Sequence, residues 1–277
     1  MSVQSQRFVL LLISICGIAF SSPNLLADFT ITLDFRGNWN PSQRNAVQQS
    51  AAFWESLIVG YRPTASSMSG ITIAATGYSD SGSGQLGGGN ISVVQQESGF
   101  VFATQGYLEL NTAYFPLLDS YGLLNWVIKH EMAHAMGFGT LWIDNGLYVQ
   151  GSGQYLGTNG VREYRGEFSN AMNVNYVPVE LAGPAGTSNL HWEEITFGDG
   201  LTGRVDSSGR DMTYELMTGW FNLGQALFVS RTTLGQFEDL GYVVDYSAVP
   251  EPSSLLLGLF VIACRFSMNR MRYNREK

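Results

Sequence analysis

His130-Glu131-Met132-Ala133-His134 lies inside an apolar stretch, Leu117–Phe138, that reads as the longest helix of the chain. Histidines four residues apart stand one helical turn above each other, so both imidazoles can reach one Zn²⁺ at about 2.0–2.1 Å. Glu131 is rotated about 100° around the helix from His130. It therefore sits beside a metal rather than on it, where it can take a proton from a metal-bound water. Zinc hydrolases use three protein ligands and leave one position for water. The chain has three histidines, and the third is His191. It is followed by Trp192, Glu193 and Glu194 in a stretch without helical period, and can approach from the later half of the chain. The competing third ligand is a carboxylate from a following helix, Glu163 or Glu167. Asn159-Gly160-Val161-Arg162-Glu163 does not make a convincing second helix, which favours His191.

Working outward, Phe29, Ile31, Leu33 and Phe35 alternate with polar residues, the period of a half-buried strand. Pro41 opens a helical pattern through Val47, Ala51, Trp54 and Ile58, with Gly60 ending it. Ile71–Ala75, Ile91–Val94 and Tyr107–Leu110 read as further strands, separated by a glycine- and serine-rich loop over Gly77–Asn90. After Phe138 the chain is irregular until a short helix at Thr232–Leu240 and a last strand at Tyr242–Val244. This order predicts an α+β protein: an N-terminal mixed sheet with the active-site helix over 28–141, an irregular C-terminal subdomain over 142–249, and a cleft between them.

The chain has 277 residues, 45% apolar and 13% aromatic, which excludes disorder and provides for a sizeable core. Between Asp28 and Pro252 there are 22 acidic and 9 basic side chains, a net charge of −13. A nucleic-acid partner is excluded on this ground, because a phosphate backbone needs a basic face. Both cysteines lie outside that stretch, Cys16 before it and Cys264 after it, so the body can use neither a disulfide nor a thiolate.

The two ends read as addresses rather than as fold. Arg7, the apolar run Phe8–Phe20 and a short polar stretch to Ala27 form an export signal over residues 1–27, with cleavage before Asp28. At the other end Pro250-Glu251-Pro252 precedes an apolar run, Ser253–Cys264, and a basic tail. Those twelve residues are short for a membrane span of about 20. The order of parts over 250–277 resembles the PEP-CTERM sorting signal of Gram-negative bacteria that make exopolysaccharide. The resemblance implies export, transient inner-membrane anchoring through 253–264, processing by an exosortase-type enzyme, and delivery to the cell surface or extracellular matrix.

His130-Glu131-x-x-His134-x-x-Gly137 is similar to the start of the metzincin zinc signature, in which the glycine turns the chain sharply off the helix. The third histidine of that signature falls three residues after the glycine, and here that residue is Thr140. The leishmanolysin-like branch of the metzincins, in which an insertion precedes a distant histidine, resolves the departure. Leu190-His191-Trp192 and Glu215-Leu216-Met217-Thr218-Gly219 resemble its third-ligand and Met-turn regions, over a similarity that runs from about 28 to 246.

The resemblance implies His130, His134 and His191 as ligands of one catalytic Zn²⁺, Glu131 as general base, and Met217 in a tight turn at the floor of the site. Gly219 stands where some metzincins carry an additional tyrosine ligand, so none is expected. A structural Ca²⁺ is left open. The expected activity is that of an exported zinc endopeptidase acting on a protein or peptide, with the substrate extended along a strand edge such as Ile91–Val94. Tyr107, Trp142, Trp192 and Trp220 are available as subsite walls, although each reads better as core. The alternative is a non-catalytic, zinc-containing protein of the cell surface or exopolysaccharide matrix.

Overall fold

The structure is a computed structural model and describes residues 29–62, 67–184, 186–195, 200–221 and 226–249. The export segment 1–27 and the sorting segment 250–277 lie outside the described residues. Among the described residues no helix is long and apolar enough to cross a membrane.

Among the described residues a four-stranded mixed sheet and five α-helices make up an α+β fold. Strand β1 (Thr30–Arg36) runs parallel to β3 (Gly70–Tyr78), and β3 parallel to β5 (Phe100–Asn111). Strand β4 (Gly87–Glu97) pairs antiparallel with β5 and forms the sheet edge, giving the order β1-β3-β5-β4. The register puts Leu33, Ile73 and Gly106 side by side, and likewise Phe35, Ala75 and Leu108. One face is therefore apolar, as the alternation of β1 requires.

Against that face lie α1 (Pro41–Leu57) and α3 (Leu124–Ala135). Helix α1 starts with Pro41 after a capping box in which Asn40 and Gln43 satisfy each other's backbone N–H groups. It buries Val47, Ala51, Trp54 and Leu57, and the Trp54 indole N–H donates to the Lys129 carbonyl at 3.0 Å, fastening α1 to α3. It ends before Gly60, because Ile58–Tyr61 leaves as strand β2 and pairs with β8 (Tyr242–Val244).

Three expectations are corrected. The helix expected over Leu117–Phe138 is two helices, α2 (Phe115–Ser120) and α3, because Gly122 between them has φ of +68°. The glycine-rich segment Gly77–Asn90 is not all loop, since β3 runs to Tyr78 and β4 starts at Gly87. The residues between are tied down. The buried Asn111 side chain bonds the backbone of Asp80 and Gln85, and the Tyr114 hydroxyl donates to the Ser83 carbonyl at 2.5 Å.

The third correction is that Thr158–Glu167 does form a helix, α4, despite two internal glycines. It packs antiparallel on α5 (Arg231–Asp239), and Gly235 allows the contact: a Cβ there would lie 2.7 Å from the Asn159 carbonyl oxygen. Strands β6 (Gln154–Tyr155) and β7 (Val177–Pro178) form a short pair nearby.

The main apolar core draws on both halves of the chain, with Ile73, Leu108 and Met132 joined by Phe138, Trp192 and Phe237. Trp142 and Trp192 are fully buried, their rings stacked at 5.0 Å, and so are core rather than subsite walls. Tyr107 is exposed on the outer face of the sheet, while Trp220 lines the cleft.

Candidate metal centre

Two contacts place the histidine-bearing helix. Strand β4 crosses α3 so closely that a Cβ on Gly89 would lie 1.9 Å from the Glu131 carbonyl oxygen, and only glycine fits. At the end of α3, Gly137 takes φ of +111° and turns the chain away, as the resemblance implies. The Thr140 hydroxyl, at the residue where a compact metzincin signature has its third histidine, donates to the His134 carbonyl at 2.9 Å. Gly139 then passes against Leu190, where a Cβ would lie 2.5 Å from the carbonyl oxygen, and this contact brings His191 to α3.

The three Nε2 atoms converge. His130 and His191 are separated by 2.9 Å, His134 and His191 by 3.0 Å, and His130 and His134 by 3.2 Å. Each Nδ1 faces a backbone carbonyl: Leu216 at 2.7 Å for His130, Phe138 at 2.9 Å for His134, and Thr187 at 2.8 Å for His191. An imidazole nitrogen facing a carbonyl must carry the proton, so in the neutral rings all three Nε2 atoms are lone pairs. Burial drives the ring pKa values down, to about 3 for His130 and about 4 for His134. His191 is driven well below its ordinary value by burial and then by the other two rings. No proton is therefore available between them near neutral pH. Three lone pairs pointed at one another repel, and a cation is the group that reverses the sign of that interaction.

The triangle suits a metal ion. Ligand nitrogens at the zinc distance and tetrahedral angle would be about 3.3 Å apart, within a few tenths of an ångström of those observed. The three buried histidines thus lie close enough together to hold one metal ion. The carbonyls behind them are the partners that usually fix ligand orientation.

Glu131 is half-buried beside the cluster and does not join it. Burial raises its carboxyl to about 7, against the Gly89 backbone N–H, which bonds it and lowers it. Met217 is fully buried in a turn closed by the Thr218 N–H on the Glu215 carbonyl at 3.3 Å. The turn is pinned to the cluster by the bond from His130 to Leu216. Glu163 and Glu167 lie elsewhere. Glu163 pairs with Arg162 and Arg231, and Glu167 accepts from the first turn of α5.

A cleft of about 490 Å³ opens over the cluster. One wall is the start of β4, Gly87–Asn90; the other is formed by Thr187, Leu190 and Gly219, with Trp220 and Phe221 at the end. A hollow of about 470 Å³ on the outer face of the sheet, beside Asp34 and Tyr107, holds no cluster of ligand atoms among the described residues.

Sequence reasoning missed the backbone carbonyls that orient the rings, which no residue type announces. It also missed the ring of Phe221, which packs on His130 at 5.3 Å, and the buried carboxylates Glu194 and Glu215. No family model, no curated protein and no solved structure matches the chain, so the reading of the site rests on its own residues.

Proposed function

We propose that the protein is a zinc-dependent endopeptidase of leishmanolysin-like, metzincin type. The observation that carries the proposal is the convergence of three neutral imidazoles at their unprotonated Nε2 atoms, with Glu131 beside them in an open cleft. His130, His134 and His191 would hold the ion. Zn²⁺ bound there supplies a Lewis acid and a water acidic enough to be deprotonated near pH 7. Glu131 takes that proton on its carboxylate and passes it to the leaving amine nitrogen. A carboxylate beside the ion but not bound to it is placed for both halves of the transfer.

The substrate would lie extended along the outer edge of β4, which pairs with no further strand among the described residues. The segment that borders the cleft is Gly87–Asn90, just before the expected Ile91–Val94. Its glycines present no side chain to a passing peptide. Export, anchoring through residues 253–264, processing by an exosortase-type enzyme and delivery to the surface of a Gram-negative cell or its matrix belong to the same proposal. They are supported by the order of parts in the terminal sequences.

The test is zinc content and casein cleavage of the purified protein beside Glu131→Ala. About one zinc per chain in both, with cleavage abolished in the variant, is expected. Zinc in both with no cleavage by either would favour the non-catalytic matrix protein, and no zinc in the wild type would remove the ligand assignment.

A further inference from the structure

We infer that Glu215 is the positioning residue of the metal centre, its buried carboxylate setting the place of both His130 and His191. This rests on the metal-site reading above and adds a residue that touches neither the ion nor the substrate.

Glu215 is fully buried, and each of its carboxylate oxygens has a defined task. Oε2 accepts the Met217 backbone N–H at 2.6 Å. Oε1 accepts the Ser230 N–H at 3.0 Å, the Ser230 hydroxyl at 3.0 Å and the Thr233 hydroxyl at 2.6 Å. The first bond closes the turn 215–218 from inside, and the carbonyl between those two residues, Leu216, receives the Nδ1 proton of His130.

Through the second oxygen the carboxylate reaches the far ligand. The Thr233 hydroxyl donates to Glu215 and accepts the Trp192 indole N–H at 2.9 Å. Trp192 follows His191, and its backbone N–H donates to the Met217 carbonyl at 3.0 Å. The two ligands separated by 61 residues in sequence are thus held by one side chain, each through a short chain of bonds.

The cost of burying this group marks it as more than filler. A carboxylate in the core is unfavourable unless all its lone pairs are satisfied. Here four donors converge on it, three of them from the N-cap and first turn of α5, whose dipole favours negative charge. An amide of the same shape can serve only one side. If its oxygen faces Ser230 and Thr233, its NH₂ opposes the Met217 N–H, and the turn under His130 must shift.

Co²⁺ is the probe, its affinity measured by competition with a chromophoric chelator and its coordination by visible absorption. Compared with wild type, Glu215→Gln should bind Co²⁺ about 10–100-fold more weakly, the usual loss when an outer partner of a ligand is removed. Its ligand-field bands should shift, while the metal-free variant should still unfold in one cooperative transition. Equal affinity and identical bands in a folded variant would overturn the inference. If Glu215→Gln does not fold, Thr233→Val decides: weaker Co²⁺ binding with shifted bands, restored by Thr233→Ser, supports it, and wild-type behaviour of Thr233→Val overturns it. Failure of the wild type to bind Co²⁺ would remove the metal site itself, a separate result from equal binding by wild type and variant.

Discussion

Glu167 and Asp239 cap each other's helices. Glu167, the last residue of α4, accepts the Arg231 and Thr232 N–H groups at the start of α5, each at 3.1 Å. Asp239, the last residue of α5, accepts the Asn159 and Gly160 N–H groups at the start of α4, each at 2.8 Å, and the Tyr155 hydroxyl at 2.9 Å. Two antiparallel helices thereby satisfy donors that neither could satisfy within itself. The start of α5 also carries Ser230 and Thr233, the residues that bond Glu215, so this pair supports the carboxylate behind the candidate metal centre.

Replacing Asp239 by alanine should therefore destabilise the protein by about 2–4 kcal/mol, the loss of a helix cap together with stranded donors. Urea unfolding followed by circular dichroism measures this. A loss below about 0.5 kcal/mol would show that water replaces the carboxylate without cost.

Glu167 should make stability depend on pH. Burial, with the Glu215 charge adding to it, raises its carboxyl to about 7 in the folded protein, against an ordinary 4.5. The folded state therefore holds this proton more tightly than the unfolded chain, and the contribution is fully present below about pH 4.5 and lost as pH rises through 7. The difference in unfolding free energy between wild type and Glu167→Gln, measured from pH 4.5 to 8, should change by up to about 3 kcal/mol in favour of the variant. A difference that does not move with pH would refute it.

Gly89→Ala should be among the most damaging single-methyl additions in the chain. Its Cβ would lie 1.9 Å from the Glu131 carbonyl oxygen, a backbone atom that cannot swing aside, so β4 or α3 must move. A loss of about 3 kcal/mol or more is expected, with zinc affinity falling as α3 shifts. Gly84→Ala is the control, because a Cβ there meets nothing within 4 Å and should change stability by less than about 0.5 kcal/mol.

Metal removal should be visible as a loss of stability that depends on His191. A ligand present at about 1,000 times its Kd stabilises the folded state by about 4 kcal/mol. Chelation of the zinc-loaded protein should lower its thermal midpoint, and readdition of Zn²⁺ should restore it. In His191→Ala the same treatments should leave the midpoint nearly unchanged; an equal shift in that variant would place the ion elsewhere.

Local sequence determined what depends on neighbours within a turn or two. The spacing of His130 and His134, the turn at Gly137, the opening of α1 at Pro41, the alternation of β1 and the strand Tyr242–Val244 are all written in short-range pattern. Where pattern and packing competed, local reading failed. Helix α4 looks weak by itself, and it forms because Asp239 supplies its cap and α5 covers its glycine-lined face. The glycines of Gly87–Asn90 read as loop, yet they are strand, because their lack of side chains is what lets β4 lie on α3. His191 could be preferred over Glu163 and Glu167 by composition and spacing, but its position was decided by its own bond to Thr187, the bond from Trp192 to Met217 and the approach of Leu190 to Gly139. The Leu216 carbonyl that orients the His130 ring from 86 residues away, and the carboxylate of Glu215 behind it, come from a segment far from α3 in the chain. Bonds of that kind are set by how the chain packs, and single-residue preferences do not encode which distant groups will meet.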